Sequence, residues 1–171
     1  MNNPYFPTKV GHLLVTWFGF GRVPIAPGTA GSLAAVPICW VLAEYVPLAS
    51  KVVIAIGFTC IAILAAAQEC YLKPEIKDPG FIVIDEVAGM LWATIGISTD
   101  WPAGWMSILA AFLLFRIFDV VKPYPAKFFD RASKTTPSWF RRGAHIVLDD
   151  VIAGFFAAFV VNALIFYGIL T

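Results

Sequence analysis

Charged residues are scarce in this sequence. They make up 13% of the 171 residues, while hydrophobic residues make up 60%. A soluble domain usually carries about 25% charged and roughly 45–50% apolar residues. This imbalance predicts a membrane protein with several passes and excludes an ordinary soluble domain. The length suits a single domain over 1–171. The formal net charge of +1 gives no indication of nucleic-acid binding.

Histidine and cysteine are also rare, which excludes several kinds of catalytic site. The two histidines, His12 and His145, lie outside any Pro-Ser-Gly-His run, so a lipid phosphatase with a histidine nucleophile is excluded. None of the three cysteines is followed six residues later by arginine, so the Cys-x5-Arg phosphatase loop is absent. No Asp-x-Asp-x-Thr run supports an aspartyl phosphatase of the haloacid-dehalogenase type. The odd cysteine number indicates core residues rather than disulfides.

Long apolar stretches dominate what is present. They run over 33–48, 52–72, 81–98, 103–121 and 149–170. The stretches predict an all-α membrane bundle of about five apolar helices; four spans plus a re-entrant or interfacial helix are the alternative. Residues 1–32 predict an interfacial segment without a cleavable signal peptide.

Lysine and arginine are unevenly distributed between the connections, which predicts the orientation. Counting alternate connections, ten lie on one side of the membrane and one on the other. The positive-inside rule then places the N-terminus, the 73–80 connection and the basic loop 122–148 in the cytoplasm.

Five acids lie inside or at the ends of the apolar stretches. Asp85 and Glu86 are adjacent, and Asp119, Asp149 and Asp150 reach the same face in the predicted topology. A charge at the bilayer centre costs roughly 2.5–3.5 kcal/mol on insertion scales, so acids there indicate function. Mg²⁺ prefers oxygen ligands, which makes all five candidates for holding it. Simple capping of helix N-termini is the alternative, above all for Asp149.

Arg116, Asp119 and Lys122 follow one another at intervals of three residues. This spacing puts them on one helical face. The functional interpretation is a phosphate clamp, with arginine as a bidentate fork and lysine as a point charge. An intrahelical ion pair with a lysine that reaches the interface is the alternative.

Glycine and proline are concentrated over 19–32, which predicts a loop rather than a helix or strand. Within it, Gly28, Thr29 and Ser32 precede a predicted helix, where free backbone N–H groups favour an anion. A turn capped by Ser32 would explain the same pattern.

Four motifs together resemble the phosphatidylglycerophosphatase A family. They are GRVPIAPGTAGS (21–32), DPGFIVIDEVAGM (78–90), FRIFDVVKPYPAK (115–127) and LDDVIAG (148–154). The resemblance spans nearly the whole chain. It implies a Mg²⁺-dependent lipid phosphatase of the bacterial inner membrane, with its active site facing the cytoplasm. The expected reaction is hydrolysis of phosphatidylglycerophosphate to phosphatidylglycerol and phosphate in phospholipid biosynthesis.

The expected site follows from these motifs. The acids expected to hold Mg²⁺ are Asp85, Glu86, Asp119, Asp149 and Asp150. The expected catalytic residues are Asp85, Glu86, Asp119 and Asp150, with Glu86 or Asp150 orienting the water. Substrate binding is expected from Arg116, Lys122, Thr29, Ser32 and Gly28. A covalent aspartyl-phosphate route stays open.

Two other classes of function compete with a phosphatase. Buried acids also serve small cation or proton transporters, in which they line a path through the bundle. A non-enzymatic membrane scaffold would leave Asp85, Glu86 and Arg116 without a purpose.

Overall fold

The computed structural model describes residues 5–76, 79–98 and 103–170. Parts of two predicted connections, 77–78 and 99–102, lie outside these residues. The described chain forms seven α-helices and a 3-10 turn at Phe20–Arg22, with no strand. The helices are α1 (Thr8–Val15), α2 (Pro27–Tyr45), α3 (Leu48–Leu72), α4 (Ile84–Ala93), α5 (Ala103–Val121), α6 (Ala126–Thr135) and α7 (Trp139–Phe166). The all-α prediction is confirmed.

Three helices are long and apolar enough to cross a membrane: α3, α7 and α5 over Gly104–Val121. The predicted number of about five apolar helices is therefore not confirmed in the described part of the chain. The ten residues of α4 rise only about 15 Å, half of a hydrocarbon core of about 30 Å. Helix α2 has 19 residues, but polar and small residues at its start and Glu44 near its end lower its hydropathy.

The glycine- and proline-rich stretch is only partly a loop, which corrects the prediction for 19–32. Helix α2 begins at Pro27 and includes the last six of these residues. Proline is accepted at a first helical position because its missing N–H would have no intrahelical partner there. Ser32 therefore lies inside α2 and does not cap it.

The predicted basic loop over 122–148 is also largely helical. It contains α6 and the first ten residues of α7, so α7 begins well before Asp149. The side chain of Ser138 caps α7 by accepting a hydrogen bond from the backbone N–H of Arg141 at 3.4 Å. Asp149 and Asp150 are consequently interior residues of a long helix, and the capping alternative for Asp149 is wrong.

Helix α7 lies at the centre of the bundle and packs against α3, α4, α5 and α6. Its crossing with α4 brings the two backbones into contact. A Cβ on Gly154 would lie 2.3 Å from the carbonyl oxygen of Gly89. A Cβ on Gly89 would lie 2.9 Å from the carbonyl oxygen of Asp150 and closer still to the Phe115 ring. Only glycine permits this approach, which sets the position of the α4 acids relative to Asp150.

The chain after α4 continues toward the opposite end of the bundle. There the buried Lys51, at the start of α3, donates a hydrogen bond from Nζ to the carbonyl oxygen of Ile97 at 2.6 Å. Residues 84–98 thus run from one end of the bundle to the start of α3, although α4 itself is short.

Candidate active site

A cavity of about 330 Å³ opens at one end of the bundle, and residues from all four motifs line it. Its ionisable residues are the acids Asp85, Glu86, Asp119, Asp130, Asp149 and Asp150 and the bases Arg116 and Lys122. With six carboxylates and two cations, the fully ionised pocket would carry a charge of −4. An excess of carboxylates in a cavity favours the binding of a cation.

The pocket lies near one end of the bundle. From Gly28 to Tyr45, α2 continues for 17 residues away from it, and from Asp150 to Phe166, α7 continues for 16. At a rise of about 1.5 Å per residue these segments are about 25 Å long. This is close to the hydrocarbon thickness of about 30 Å, so the pocket lies toward one membrane face.

Helix α4 contributes two acids from its first turn. Asp85 and Glu86 are each 8% exposed. The positive end of the helix dipole favours carboxylates in this position. One oxygen of Asp85 also accepts a hydrogen bond from the backbone N–H of Glu86 at 3.0 Å.

Arg116 of α5 joins three elements of the site. Its guanidinium forms an ion pair with Glu86 Oε2, lies 3.1 Å from Asp119 Oδ2 and donates to Ser32 Oγ at 3.3 Å. Ser32 in turn donates to Glu86 Oε2 at 2.9 Å. A Cβ on Gly28 would lie 2.0 Å from Glu86 Oε1, so α2 also packs closely against this carboxylate. The positions of Glu86 and Arg116 are thus fixed by α2, α4 and α5.

Lys122 forms a second cluster around one cation. Its Nζ lies 2.5 Å from Asp149, 3.3 Å from Asp130 and 3.6 Å from Asp119. Burial by itself would lower the pKa of Lys122, but the carboxylate of Asp149 and those around it outweigh burial and raise that pKa. Lys122 therefore stays protonated. It has a φ of +47°, a left-handed conformation that is uncommon outside glycine.

Asp85 and Asp150 differ from the other four acids. Among the described residues, neither forms an ion pair or a hydrogen bond with a basic side chain, although both are buried. Asp150 lies within electrostatic range of Arg116 and Lys122, but buried carboxylates without a directly paired cation are still costly, which favours a ligand that compensates them.

The donor set fits the chemistry of Mg²⁺. Within the described ranges, no three His, Cys, Asp or Glu side chains are grouped as metal ligands. Mg²⁺ does not require such a group, because it typically takes one or two carboxylates and completes its shell with water and phosphate oxygens. Asp85 and Asp150, which form no direct pair with either base, would be the carboxylates to hold such an ion.

The expected substrate-binding residues of α2 are placed differently from one another. Gly28 lines the cavity, whereas Thr29 does not. Ser32 is completely buried and reaches the site only through Glu86 and Arg116.

Two lining residues with polar side chains were not predicted, Asp130 and Ser133 of α6. They lie in a stretch whose many basic residues predicted a loop. The spacing of Asp130 and Lys134, four residues apart and 3.0 Å from each other, is the signal that could have indicated a helix there.

These features define a class: a helical membrane protein with an acidic pocket near one end of its bundle, in which one arginine and one lysine line the pocket together with the acids. The family model described as Phosphatidylglycerophosphatase A matches residues 13–165. The chain belongs to this family and is therefore a phosphatase. A cation transporter is not favoured.

Two relatives share this family name. The Phosphatidylglycerophosphatase A of Escherichia coli (strain K12) is 35% identical over 158 residues, which cover 92% of this chain and 81% of the relative. The Phosphatidylglycerophosphatase A of Haemophilus influenzae is 35% identical over 156 residues, covering 90% and 87%. A third relative, from Bacteroides thetaiotaomicron, is provisionally named a phosphatidylinositol-3-phosphatase. It is 32% identical over 158 residues, covering 88% and 91%. No solved structure matches the chain.

Proposed function

We propose that this protein is a Mg²⁺-dependent phosphatase that hydrolyses phosphatidylglycerophosphate to phosphatidylglycerol and phosphate. It would act in bacterial phospholipid biosynthesis, at the cytoplasmic face of the inner membrane. The family membership supports the phosphatase activity and this lipid. The observation that carries the site assignment is the contrast within one pocket between four acids that pair with Arg116 or Lys122 and two that do not.

Arg116 and Lys122 would bind the phosphate that is removed. The planar guanidinium of Arg116 suits bidentate contact with phosphate oxygens, and Lys122 adds a compact charge. Negative charge spreads over the equatorial oxygens in the loose transition state of phosphoryl transfer. Because Glu86 and Ser32 already hold Arg116, little reorganisation is needed when this charge develops.

Asp85 and Asp150 are the residues that would hold the metal. When bound, Mg²⁺ neutralises phosphate charge and makes a water more acidic. Of the two acids expected to orient the attacking water, Glu86 is a better candidate than Asp150. Its Oε2 is engaged by Arg116 and Ser32, whereas Oε1 faces Gly28 at the pocket. Ser32 and Arg116 thereby fix this carboxylate in one orientation.

Phosphate release by the purified protein tests the proposal. The assay uses phosphatidylglycerophosphate, phosphatidic acid and phosphatidylinositol 3-phosphate, each with Mg²⁺ and with a chelator. Preferred release from phosphatidylglycerophosphate, lost with chelator and restored by Mg²⁺, is the expected result. Activity that the chelator does not change would overturn the metal assignment. No release from any of the lipids would overturn the enzyme, and preference for the inositol lipid would reassign the substrate.

The orientation is tested separately in sealed membrane vesicles of known sidedness. With substrate added outside, inside-out vesicles should release phosphate without detergent, and right-side-out vesicles should require it. The reverse pattern would place the active site on the other face.

A further inference from the structure

A groove between α2 and α5 begins about one helical turn beyond the pocket cluster and lies toward the opposite end of the bundle. It encloses about 270 Å³, and every residue that lines it is apolar. Helix α2 contributes Leu33, Val36 and Trp40, and helix α5 contributes Trp105, Ile108, Leu109 and Phe112.

Residues of the groove follow residues of the pocket cluster along both helices. On α2, Gly28, Ser32, Val36 and Trp40 follow one another at intervals of four residues, so each lies next to the one before it, in a row that turns by about 40° around the helix at each step. The first two belong to the pocket cluster, and the last two line the groove.

The same change occurs along α5. Asp119 and Arg116 line the pocket. Phe112, four residues before Arg116, is the groove residue of α5 that lies nearest to the pocket along the helix. On both helices, apolar groove residues therefore begin about one turn beyond the polar residues of the pocket cluster.

The groove has the length and walls that suit an extended hydrocarbon chain. Leu33 to Trp40 and Trp105 to Phe112 are each seven residues apart, or about 10 Å along a helix. Leu109 and Trp105 are 47% and 45% exposed and form an open side wall, while the buried Ile108 forms part of the floor. The groove is thus open laterally, toward the region that a membrane protein presents to lipid.

We infer that the groove binds an acyl chain of the substrate lipid while its phosphate occupies the pocket. This inference rests on the proposed function and adds a second recognition element to it. Because pocket and groove residues are neighbours along both α2 and α5, one molecule could occupy both sites at once. A lipid headgroup at Arg116 has its glycerol and chains directed along the helices, because the chains remain in the leaflet.

A matched pair of substitutions on α2 tests the inference. Val36→Trp fills the groove, whereas Val41→Trp introduces the same side chain five residues later, at a position that is 46% exposed and does not line it. Phosphate release is measured on the long-chain substrate and on its deacylated headgroup. Val36→Trp should raise KM for the long-chain lipid roughly tenfold, as expected for the loss of about two buried methylene contacts. Neither variant should change kcat/KM for the deacylated headgroup.

A second pair of substitutions, on α5, keeps the test decisive if Val36→Trp does not fold. Leu109→Ala removes a wall of the groove, and Leu113→Ala makes the same change on α5 at an exposed position outside it. Leu109→Ala should raise KM for the long-chain lipid severalfold, with Leu113→Ala close to wild type.

The outcomes separate the inference from the function on which it rests. Equal KM values for the two α2 variants, or for the two α5 variants, would overturn the groove assignment while phosphatase activity persists. So would wild-type protein that treats the two substrates alike. A change in oligomeric state at unchanged KM would assign the groove to a second copy of the chain. Absence of phosphate release by wild-type protein would instead overturn the proposed function itself.

Discussion

The six acids of the pocket form two groups with different surroundings. Glu86, Asp119, Asp130 and Asp149 each contact Arg116 or Lys122, whereas Asp85 and Asp150 contact neither. The two groups share one cavity and, except for Asp130, have similar depth. The difference between them is therefore one of partners rather than of burial.

The two groups of acids are expected to have different roles in the site. An acid that already pairs with a buried cation contributes to holding that cation in position. An acid without such a partner keeps its oxygens available to a ligand. We therefore expect substitutions in the unpaired group to affect turnover most, and substitutions in the paired group to affect stability or positioning.

The largest effect is expected for the unpaired acids. Asp85→Asn and Asp150→Asn should each lower kcat about a thousandfold, since several kcal/mol of charge stabilisation are at stake and each 1.4 kcal/mol is a factor of ten. The thermal midpoint should stay equal or rise, because one of several like charges in a buried cluster is removed. Phosphate release and thermal unfolding in detergent measure both quantities. Near-normal turnover in either variant would remove that acid from the site.

Removing the cation of the paired group should instead affect stability strongly. Arg116→Met leaves Glu86 buried without its partner, and loss of one member of a buried pair typically costs about 3–5 kcal/mol. We expect the upper part of this range not to be reached, because the Arg116 side chain is 20% exposed. The double variant Arg116→Met/Glu86→Gln should recover most of the stability in equilibrium unfolding but none of the activity. Recovery of activity would show that Arg116 does not contact phosphate.

A smaller effect is expected when a paired acid is displaced rather than deprived of its cation. Gly28→Ala places a methyl group against Glu86 Oε1, which must move. Because displacements of about 1 Å can reduce rates by up to a hundredfold, we expect kcat to fall about tenfold or more. Gly57→Ala on α3 is the matched control, since a Cβ there meets nothing within 4 Å. Equal kcat values for the two variants would contradict the proposed role of Glu86.

The smallest effect is expected for Asp130, which is the most exposed paired acid, with 22% of its side chain accessible. Burial, the largest single influence, raises the pKa of Asp130, but the hydrogen bond from Lys134 and the charge of Lys122 together outweigh it and lower that pKa overall. A lowered folded-state pKa stabilises the protein above the unfolded-state pKa, about 3.9, and this contribution disappears as pH falls through the folded-state value.

Asp130→Asn should therefore cost less than about 1 kcal/mol at pH 7, as for other partly exposed ion pairs. The difference from wild type should vanish in acid. Unfolding midpoints measured at stepwise decreasing pH provide the check. A difference that persists in acid would assign the effect to packing instead of charge.

Much of the pocket could be predicted because its acids stand out against apolar surroundings. Asp85 and Asp119 interrupt apolar stretches, where a charge requires a reason, and the structure brings both to one cavity. Asp130 had no such contrast, since lysines and arginines surround it in sequence. Its place in the pocket depends on the packing of α6 against α7, which is a tertiary feature.

The errors concern boundaries and spans. Glycine and proline over 19–32 predicted a loop because both residues disfavour helix interiors. Here Pro27 stands at a first helical position, and Gly28 serves a close approach to Glu86. Helix α4 was counted among the apolar helices because apolar residues continue to Ile97, but its regular part ends at Ala93. Apolar length alone does not distinguish a crossing helix from one buried by its neighbours.

The backbone contact between Gly89 and Gly154 has a consequence for the proposed metal site. Helices α4 and α7 are already in van der Waals contact, so they cannot move closer together. The buried Phe115 ring beside them also limits their lateral movement. Asp85 and Asp150 are therefore attached to a frame of nearly fixed width. Ca²⁺ requires six to eight ligands at 2.3–2.6 Å, whereas Mg²⁺ is satisfied by shorter distances and by water. Discrimination by ionic radius would then reside in the spacing of two helices, and a larger residue at either glycine should weaken it.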